Sequence, residues 1–354
     1  MNNIERIKNT LSNRNLSAML IVNPINRLFA TGFETSAGAL LVTEQDAWFF
    51  TDSRYIEAAG SAVTGATVLQ VTADNTYFDR IKSILSNLDI TSIGFEDNSI
   101  TYSAYLEWRR KLKVKMIRAE KLLLDLRAIK SYEDLESIRK AQRIAEKSFN
   151  EILPLISTQI TEKELATELL YRLLKNGADD KSFDTIVVSG AKSSMPHGVP
   201  EDIKLGKGFL TIDFGARLNG WCSDTTRTLC IGQPDAEMIK IYNTVLRAQE
   251  AGIAAARAGI CAEDVDTAGR TIIDKAGYGE YFSHSFGHSI GLEVHESPRA
   301  SKSSTDILQA GVVISAEPGI YIPGRFGVRI EDLIHIQENG NENLTNLPKE
   351  LIVI

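Results

Sequence analysis

The stretch that most constrains the fold spans residues 211–228 and reads TIDFGARLNGWCSDTTRT. Apolar and polar residues alternate on both sides of the dipeptide Asn219-Gly220. Asn-Gly is the strongest short-range signal for a two-residue type I′ turn. The stretch therefore predicts a β-hairpin in which Leu218 pairs with Trp221.

The same register gives this hairpin an acidic residue on each arm. Continuing the pairing places Asp213 opposite Thr226, so Asp224 lies one diagonal step from Asp213 on the same face. Two carboxylates that close repel each other and resist joint ionisation. The hairpin therefore requires a shared proton, a basic partner or metal ions.

A second predicted hairpin near the C-terminus repeats this arrangement. Glu317 and Glu331 flank a Pro-Gly-Arg-Phe-Gly turn symmetrically about Gly324. Their even separation puts both glutamates on one face, which Arg329 shares and Asp332 does not. The two hairpins thus offer four carboxylates to one site, with placement on the surface as the alternative. The apolar runs FLTIDFG and VVISAE favour burial, and buried carboxylates require partners.

Histidines cluster close to these acids in the sequence. The segment HSFGHSIGLEVHE contains His284, His288 and His295, His197 lies in the loop SSMPHGVPED, and only His335 lies apart, as a structural residue. A lone histidine is more often structural than a ligand, but clustering favours a site. One imidazole with four carboxylates suits paired divalent cations such as manganese, cobalt or zinc better than a single tetrahedral zinc. Two such ions activate a bridging water, so hydrolysis is the predicted reaction.

Length and the order of predicted elements divide the chain into two domains. At 354 residues the chain is too long for one ordinary core. Strands and helices alternate in residues 1–125, which predicts a small α/β domain. Residues 126–354 read helix, helix, hairpin, helix, helix, hairpin, an order typical of an internal duplication. The overall fold class is therefore α+β.

Composition excludes several classes of partner. A net charge of −7 gives no electrostatic footprint for nucleic acid. The N-terminal MNNIERIKNT lacks the apolar run of a secretory signal, and no stretch approaches the ~18 apolar residues of a membrane span. We therefore expect a cytoplasmic protein without nucleic-acid or membrane partners. The three cysteines show no Cys-x-x-Cys spacing and are interpreted as core residues.

These motifs resemble those of the proline-specific pita-bread metallopeptidases, the group that contains aminopeptidase P and prolidase. The resemblance is carried by IDFGARLNGWCSDTTRT, HSFGHSIGLEVHE, SAEPGIY and VRIED, with SSMPHG ahead of them, over roughly residues 130–354. The N-terminal segments TGFETSAG and TDSRY resemble aminopeptidase P in particular. Ser289, beside the metal histidine, and Thr35, ahead of Ser-Ala-Gly, stand where the family often has glycine.

The resemblance implies a pita-bread catalytic domain preceded by a creatinase-like N-terminal domain that serves oligomerisation and defines one end of the substrate. It implies two divalent ions, manganese first and cobalt or zinc as alternatives, bridged by Asp224 and Glu331. The five implied ligands are Asp213, Asp224, His288, Glu317 and Glu331. Glu317 would also handle the proton of the attacking water.

Five further residues are implied to contact the substrate. His197 would bind it, and His295 would stabilise the oxyanion. His284 and Arg329 would line the proline side, with Tyr321 as a further candidate.

The leading hypothesis is a homodimeric or larger Xaa-Pro aminopeptidase, because the N-terminal motifs favour it over an Xaa-Pro dipeptidase. Both activities would act on short proline-containing peptides. Methionine aminopeptidase resembles only the large domain, and creatinase-like enzymes lack the metal carboxylates. A catalytically silent pita-bread binding protein is the alternative from another class, but it would be marked by loss of ligands, and all five are present.

Overall fold

A computed structural model describes residues 2–354. The chain forms two compact units, one that ends at Arg127 and one that runs from Ala128 to Ile354. The roles expected of the two domains, and the predicted division between residues 125 and 126, stay predictions.

The first unit is built on one six-stranded sheet in the order β4-β3-β2-β1-β5-β6. Strands β1 to β3 pair antiparallel, and the remaining neighbours pair parallel. The elements of this unit are α1 (Asn3–Leu11), β1 (Ala18–Ile21), α2 (Pro24–Thr31), β2 (Ala39–Thr43), β3 (Ala47–Thr51), α3 (Ile56–Ala62), β4 (Thr67–Gln70), α4 (Tyr77–Asn87), β5 (Ser92–Phe95), α5 (Tyr102–Leu112), β6 (Lys115–Arg118) and α6 (Glu120–Ala128).

Within this unit, the N-terminal segment TGFETSAG begins at the end of a helix. Thr31 is the last residue of α2, and Gly32 ends that helix with a φ of 68°. Helix α2 was not predicted from the sequence, although it carries two signals of a helix start. The Asn23 side chain accepts hydrogen bonds from two backbone N–H groups, and Pro24 occupies the first turn. The main chain of the loop around Thr35 is stabilised by the Arg27 guanidinium, which donates hydrogen bonds to Thr35 O and Gly38 O.

The second unit contains four longer helices and several small sheets. The helices are α7 (Tyr132–Ile152), α8 (Glu162–Lys175), α9 (Ala236–Ala255) and α10 (Ala262–Lys275). The strands are β7 (Asp180–Lys181), β8 (Ile186–Ser189), β9 (Gly208–Phe214), β10 (Ala216–Leu218), β11 (Trp221–Cys222), β12 (Thr225–Ile231), β13 (Gly287–Ser289), β14 (Glu296–Ala300), β15 (Val313–Ala316), β16 (Gly319–Ile322), β17 (Phe326–Arg329), β18 (Asp332–Gln337) and β19 (Gly340–Asn343).

Two hydrophobic cores divide this unit in the way that the repeated element order predicts. Helices α7 and α8 pack on the first hairpin, where Phe149 and Phe214 stack with ring centroids 5.3 Å apart. Helices α9 and α10 pack on the second hairpin around Phe286 and Ile320. Each hairpin is thus backed by its own helix pair, and the unit has the pita-bread architecture expected from the family resemblance.

Helix ends follow local capping chemistry. Thr161 and Glu164 form a capping box at the start of α8. Gly277 follows α10 with a φ of 87°, as expected of a residue just past a helix end. Within residues 2–354, every helix is too short or too polar to cross a bilayer.

Candidate metal centre

The first hairpin has the predicted register but not the predicted continuity. Leu218 pairs with Trp221 and Asp213 pairs with Thr226, which confirms the register derived from the turn. Asn219 and Gly220 both have positive φ, as a type I′ turn requires. Strand pairing, however, lapses between β11 and β12, and this break contains Asp224.

At Gly215 the two arms of the hairpin approach each other closely beside the break. A Cβ atom on Gly215 would lie 1.9 Å from the carbonyl oxygen of Ser223. Only glycine therefore permits this approach of the two arms. The break frees Asp224 from the strand ladder and lets its side chain turn into the site.

The second hairpin places its two glutamates in the same way. Strand β15 pairs with β18 and strand β16 pairs with β17, and both pairings are symmetrical about Gly324. Glu317 and Glu331 lie in the breaks between these pairs, where the hairpin leaves the five-stranded sheet β14-β13-β15-β18-β19 for the two-stranded sheet β16-β17. The predicted facing of the two acids is therefore confirmed, but neither lies within a strand.

His288 is oriented by main-chain contacts on β13. Its N–H donates to Ser315 Oγ at 3.0 Å, and its Nδ1 lies 3.1 Å from Ser289 O. This leaves Nε2 facing the acids, 3.2 Å from Glu317 Oε1 and 3.8 Å from Asp224 Oδ2. Ser289 takes the place of the frequent glycine without strain, because its φ is not positive.

Three buried residues converge closely enough to share a cation. Asp224, His288 and Glu331 each offer a ligand atom, and these atoms lie within 4.8 Å of one another. Two further signs point to a cation. Asp213 Oδ1 and Glu331 Oε1 are buried, and no donor in residues 2–354 reaches them. Buried carboxylate oxygens without donors are costly, so this donor set fits divalent ions.

Arg329 ties the two hairpins together beside this cluster. Its Nη2 donates to Asp213 Oδ2 at 2.6 Å, and its Nη1 donates to the Tyr321 hydroxyl at 2.9 Å. Its Nε donates to Thr226 Oγ1 at 3.0 Å, and that hydroxyl in turn donates to Glu331 Oε2 at 2.7 Å. Thr226 had no role in the sequence interpretation, although the predicted register placed it opposite Asp213.

The electrostatics of the cluster also fit cations. Burial raises the pKa of Asp213, Asp224 and Glu331, and repulsion from neighbouring acids adds to the effect. Burial would also raise the pKa of Glu317, but the hydrogen bond and charge of His288 outweigh it and lower that pKa to about 2. One arginine and one histidine cannot compensate four buried acids, so added positive charge is required to ionise them all.

The cluster lies in a cavity of about 460 Å³. Nine of the ten residues singled out in the sequence line it: His197, Asp213, Asp224, His284, His288, His295, Glu317, Arg329 and Glu331. The tenth, Tyr321, lies behind this surface and contacts His284 Nε2 at 2.9 Å through its hydroxyl. His335 is elsewhere, with Nδ1 3.5 Å from Glu342.

Other lining residues were not found from the sequence. Phe183 and Ile186 add apolar surface to the cavity, and Arg299 adds a positive charge. No side-chain hydrogen bond or salt bridge to Arg299 forms within the described part of the chain. Its position as the fourth residue of β14 gave no signal, because a single arginine on the exposed face of a strand is ordinary.

Comparison with known proteins agrees with this architecture. Residues 136–338 match the model of metallopeptidase family M24, and residues 3–129 match that of the Creatinase/Prolidase N-terminal domain. The Xaa-Pro dipeptidase of Pyrococcus furiosus is 36% identical over 352 residues, covering 99% of each chain.

Solved structures are similar over nearly the whole chain. The Xaa-Pro dipeptidase from Bacillus anthracis superposes with a TM-score of 0.96 at 38% identity, covering 99% of each chain. The X-Pro aminopeptidase from Thermotoga maritima superposes with a TM-score of 0.93 at 35% identity, covering 99% of this chain and 100% of the other. The chain is therefore a metallo-exopeptidase with a Creatinase/Prolidase N-terminal domain, and it belongs to metallopeptidase family M24.

Proposed function

We propose that this protein uses two divalent metal ions to hydrolyse the peptide bond that precedes proline, with Xaa-Pro dipeptides as preferred substrates. The observation that carries the proposal is the pair of buried carboxylate oxygens, on Asp213 and Glu331, that have no donor among residues 2–354. Both residues line a cavity of a size suited to a small ligand.

Asp213, Asp224, His288, Glu317 and Glu331 would hold the two ions, with Asp224 and Glu331 bridging. When bound, paired divalent ions lower the pKa of a water between them and polarise a carbonyl group. Carboxylate-rich donor sets suit manganese, with cobalt or zinc as alternatives.

The chain's own residues supply proton transfer and charge stabilisation. Glu317 lines the cavity with Oε1 3.2 Å from His288 Nε2, and its carboxylate would take a proton from the attacking water and deliver it to the leaving nitrogen. His295 is exposed at the cavity surface, where a ring N–H can donate to the carbonyl oxygen as negative charge develops.

Recognition of proline must depend on shape, because an Xaa-Pro bond has no N–H to donate. Phe183 and Ile186 offer apolar surface to the pyrrolidine ring. Both ring nitrogens of His284 are within hydrogen-bond distance of oxygens, Ser285 O at 2.8 Å and the Tyr321 hydroxyl at 2.9 Å. The His284 ring is thereby held in one orientation and forms a fixed wall.

Arg299 favours a dipeptide as the substrate. A dipeptide has its C-terminal carboxylate close to the scissile bond, and Arg299 is a cation at the cavity surface that no acid neutralises within the described chain. Arginine binds carboxylates through two parallel hydrogen bonds. The relatives from Pyrococcus furiosus and Bacillus anthracis are both named as Xaa-Pro dipeptidases, in agreement with this choice.

An aminopeptidase that accepts longer peptides is the second candidate, and it was the one favoured by the sequence motifs. Asp184, Ile186 and His197 also line an adjoining hollow of about 440 Å³, which offers room beyond a dipeptide. The Thermotoga maritima structure is named as an X-Pro aminopeptidase.

Steady-state kinetics with three substrates separates these candidates. We expect manganese-loaded protein to cleave Ala-Pro at least about tenfold more efficiently than its C-terminal amide or Ala-Pro-Ala, since a hydrogen bond to a charged group is worth about 1.5–3 kcal/mol. Arg299→Met should raise KM for Ala-Pro and abolish the preference for the acid over the amide. Arg325→Met is the matched control, because Arg325 pairs with Glu237 outside the cavity.

Two results would redirect the assignment. Equal cleavage of Ala-Pro-Ala, with no effect of Arg299→Met, would favour the aminopeptidase. Absence of any cleavage that a chelator abolishes and manganese restores would favour a silent binding protein. The predicted homodimer or larger oligomer is tested separately by light scattering, and the predicted cytoplasmic location by cell fractionation.

A further inference from the structure

A buried ion pair lies on α10, outside the cavity. Asp266 and Arg270 are one helical turn apart, with Nε of Arg270 2.7 Å from Asp266 Oδ2 and Nη2 2.8 Å from Oδ1. Both residues are buried, at 0% and 7% exposure. A buried ion pair is often no more stabilising than apolar side chains of similar volume. Stability alone is therefore a weak reason for this pair.

The remaining hydrogen-bonding capacity of the pair is directed at one loop. Nη1 of Arg270 donates to Phe282 O at 2.9 Å, and Nη2 donates to His284 O at 2.8 Å. Asp266 Oδ1 accepts from the N–H of Phe286 at 3.0 Å. The guanidinium carbon also lies 3.9 Å from the centre of the Phe282 ring. One ion pair therefore fixes the main chain at three alternate residues.

This loop leads directly into the metal centre. Phe286 O accepts from the N–H of Glu317 at 2.8 Å, so the main chain at 286 also locates the second hairpin. His288 follows two residues later on β13. His284, held at its own carbonyl, contacts the Tyr321 hydroxyl.

We infer that Asp266 and Arg270 are positioning residues for the metal centre, which set the places of His288 and Glu317 through the main chain of residues 282–286. The inference rests on the proposed function, because it assigns the pair a role in metal binding. Neither residue lines the cavity, so both act through the loop and not on the substrate.

The forked geometry of Arg270 makes the inference testable with conservative variants. Arg270→Lys keeps the positive charge but cannot reach Asp266, Phe282 O and His284 O together. Asp266→Asn keeps the volume but replaces one acceptor oxygen by a donor. Changes to the outer partners of metal ligands reduce metal affinity by about ten- to a hundredfold. We expect a loss of this size for manganese in both variants.

Manganese titration by calorimetry and thermal melting with and without manganese give the readouts, beside kcat and KM for Ala-Pro. If the pair has a positioning role, both variants should show a smaller rise in Tm on adding manganese and a lower kcat than the wild type. Their Tm without manganese should fall by less than their Tm with manganese. Ile273→Ala is the matched control: Ile273 is fully buried on the same helix and offers the loop no hydrogen bond. It should lower both melting temperatures and leave manganese affinity unchanged.

The outcomes are separable from those of the proposed function. Variants that melt earlier but bind manganese as tightly as the wild type would overturn the inference, even if the wild type cleaves Ala-Pro. A wild type that binds manganese but cleaves no Xaa-Pro peptide would overturn the proposed substrate, while the affinity comparison still decides the positioning role. A wild type that binds no manganese would overturn both.

Discussion

Replacing Gly269 by alanine should destabilise the protein, although alanine is the better helix former. Gly269 on α10 and Gly252 on α9 face the same aromatic ring, that of Phe286. A Cβ atom on Gly269 would lie 2.4 Å from Phe286 Cε2 and 2.9 Å from the carbonyl oxygen of Ala248. Ordinary carbon contacts lie at about 3.5–4.0 Å. The ring or helix α9 must therefore move by more than an ångström.

The sign of the effect follows from two opposing contributions. Alanine gains about 0.8–1.0 kcal/mol over glycine inside a helix. Overpacking a well-filled core costs about 1–3 kcal/mol. The upper part of that range applies here, because one of the atoms met is a backbone oxygen of α9 that cannot move alone. We expect Gly269→Ala to lower the free energy of unfolding by about 1–2 kcal/mol.

Gly60→Ala is the matched control for this substitution. Gly60 is exposed within α3, and a Cβ there would meet nothing within 4 Å. This variant should gain about 0.5–1 kcal/mol. Denaturant unfolding followed by circular dichroism measures both changes through the shift of the midpoint at constant slope.

A double-mutant cycle identifies Phe286 as the cause. Phe286→Leu removes the ring that the new Cβ of Gly269→Ala would contact. The combined loss in free energy of unfolding should therefore be smaller than the sum of the two single losses. If Gly269→Ala stabilises the protein as much as Gly60→Ala, or if the two losses add fully, the steric argument is wrong.

Three further predictions concern the metal centre, the helix cap of α8 and the loss of stability at acid pH. Asp224→Asn should reduce the number of bound manganese ions by at least one and abolish Ala-Pro cleavage, whereas Asp264→Asn on the surface of α10 should change neither. Atomic absorption on dialysed protein measures the number of bound ions. Retention of both ions in Asp224→Asn would refute the bridging role. Thr161→Ala should lower the free energy of unfolding by about 1 kcal/mol through loss of the helix cap. Backbone and side-chain hydrogen bonds from Thr161 lower the pKa of Glu164, so the stability that this acid contributes is full above its unfolded pKa of about 4.3 and is lost as the pH falls through the lower folded value. Unfolding between pH 3 and 5 should therefore lose less stability in Glu164→Gln than in wild type, and parallel curves would contradict the assignment.

The sequence predicted the features that depend on strict periodicity and local chemistry. The Asn219-Gly220 turn determined the register of the first hairpin, and symmetry about Gly324 determined that of the second. At the start of α8, Thr161 and Glu164 have the spacing of a capping box, which is a purely local signal. In each case a few adjacent residues determine the geometry, so no knowledge of distant packing was needed.

Features that depend on distant partners were not predictable. Asp224, Glu317 and Glu331 lie in breaks between strands, and the break at Asp224 depends on the close approach of Gly215 to Ser223. Helix α2 is only eight residues long, so its caps were stronger signals than its periodicity. Arg270 contacts the main chain at Phe282 and His284, 12 and 14 residues further along the chain, and nothing in the local sequence indicates these contacts.

The five proposed ligands lie between residues 213 and 331, two of them on separate strands and three in breaks between strands. Pairing of segments so far apart carries a large loop-closure entropy and forms late in folding. A cation therefore has no local cluster of donors to bind in the unfolded chain, in contrast to a zinc finger, whose closely spaced ligands let the metal drive folding. Metal loading should follow folding in this protein, and manganese should slow unfolding without accelerating refolding.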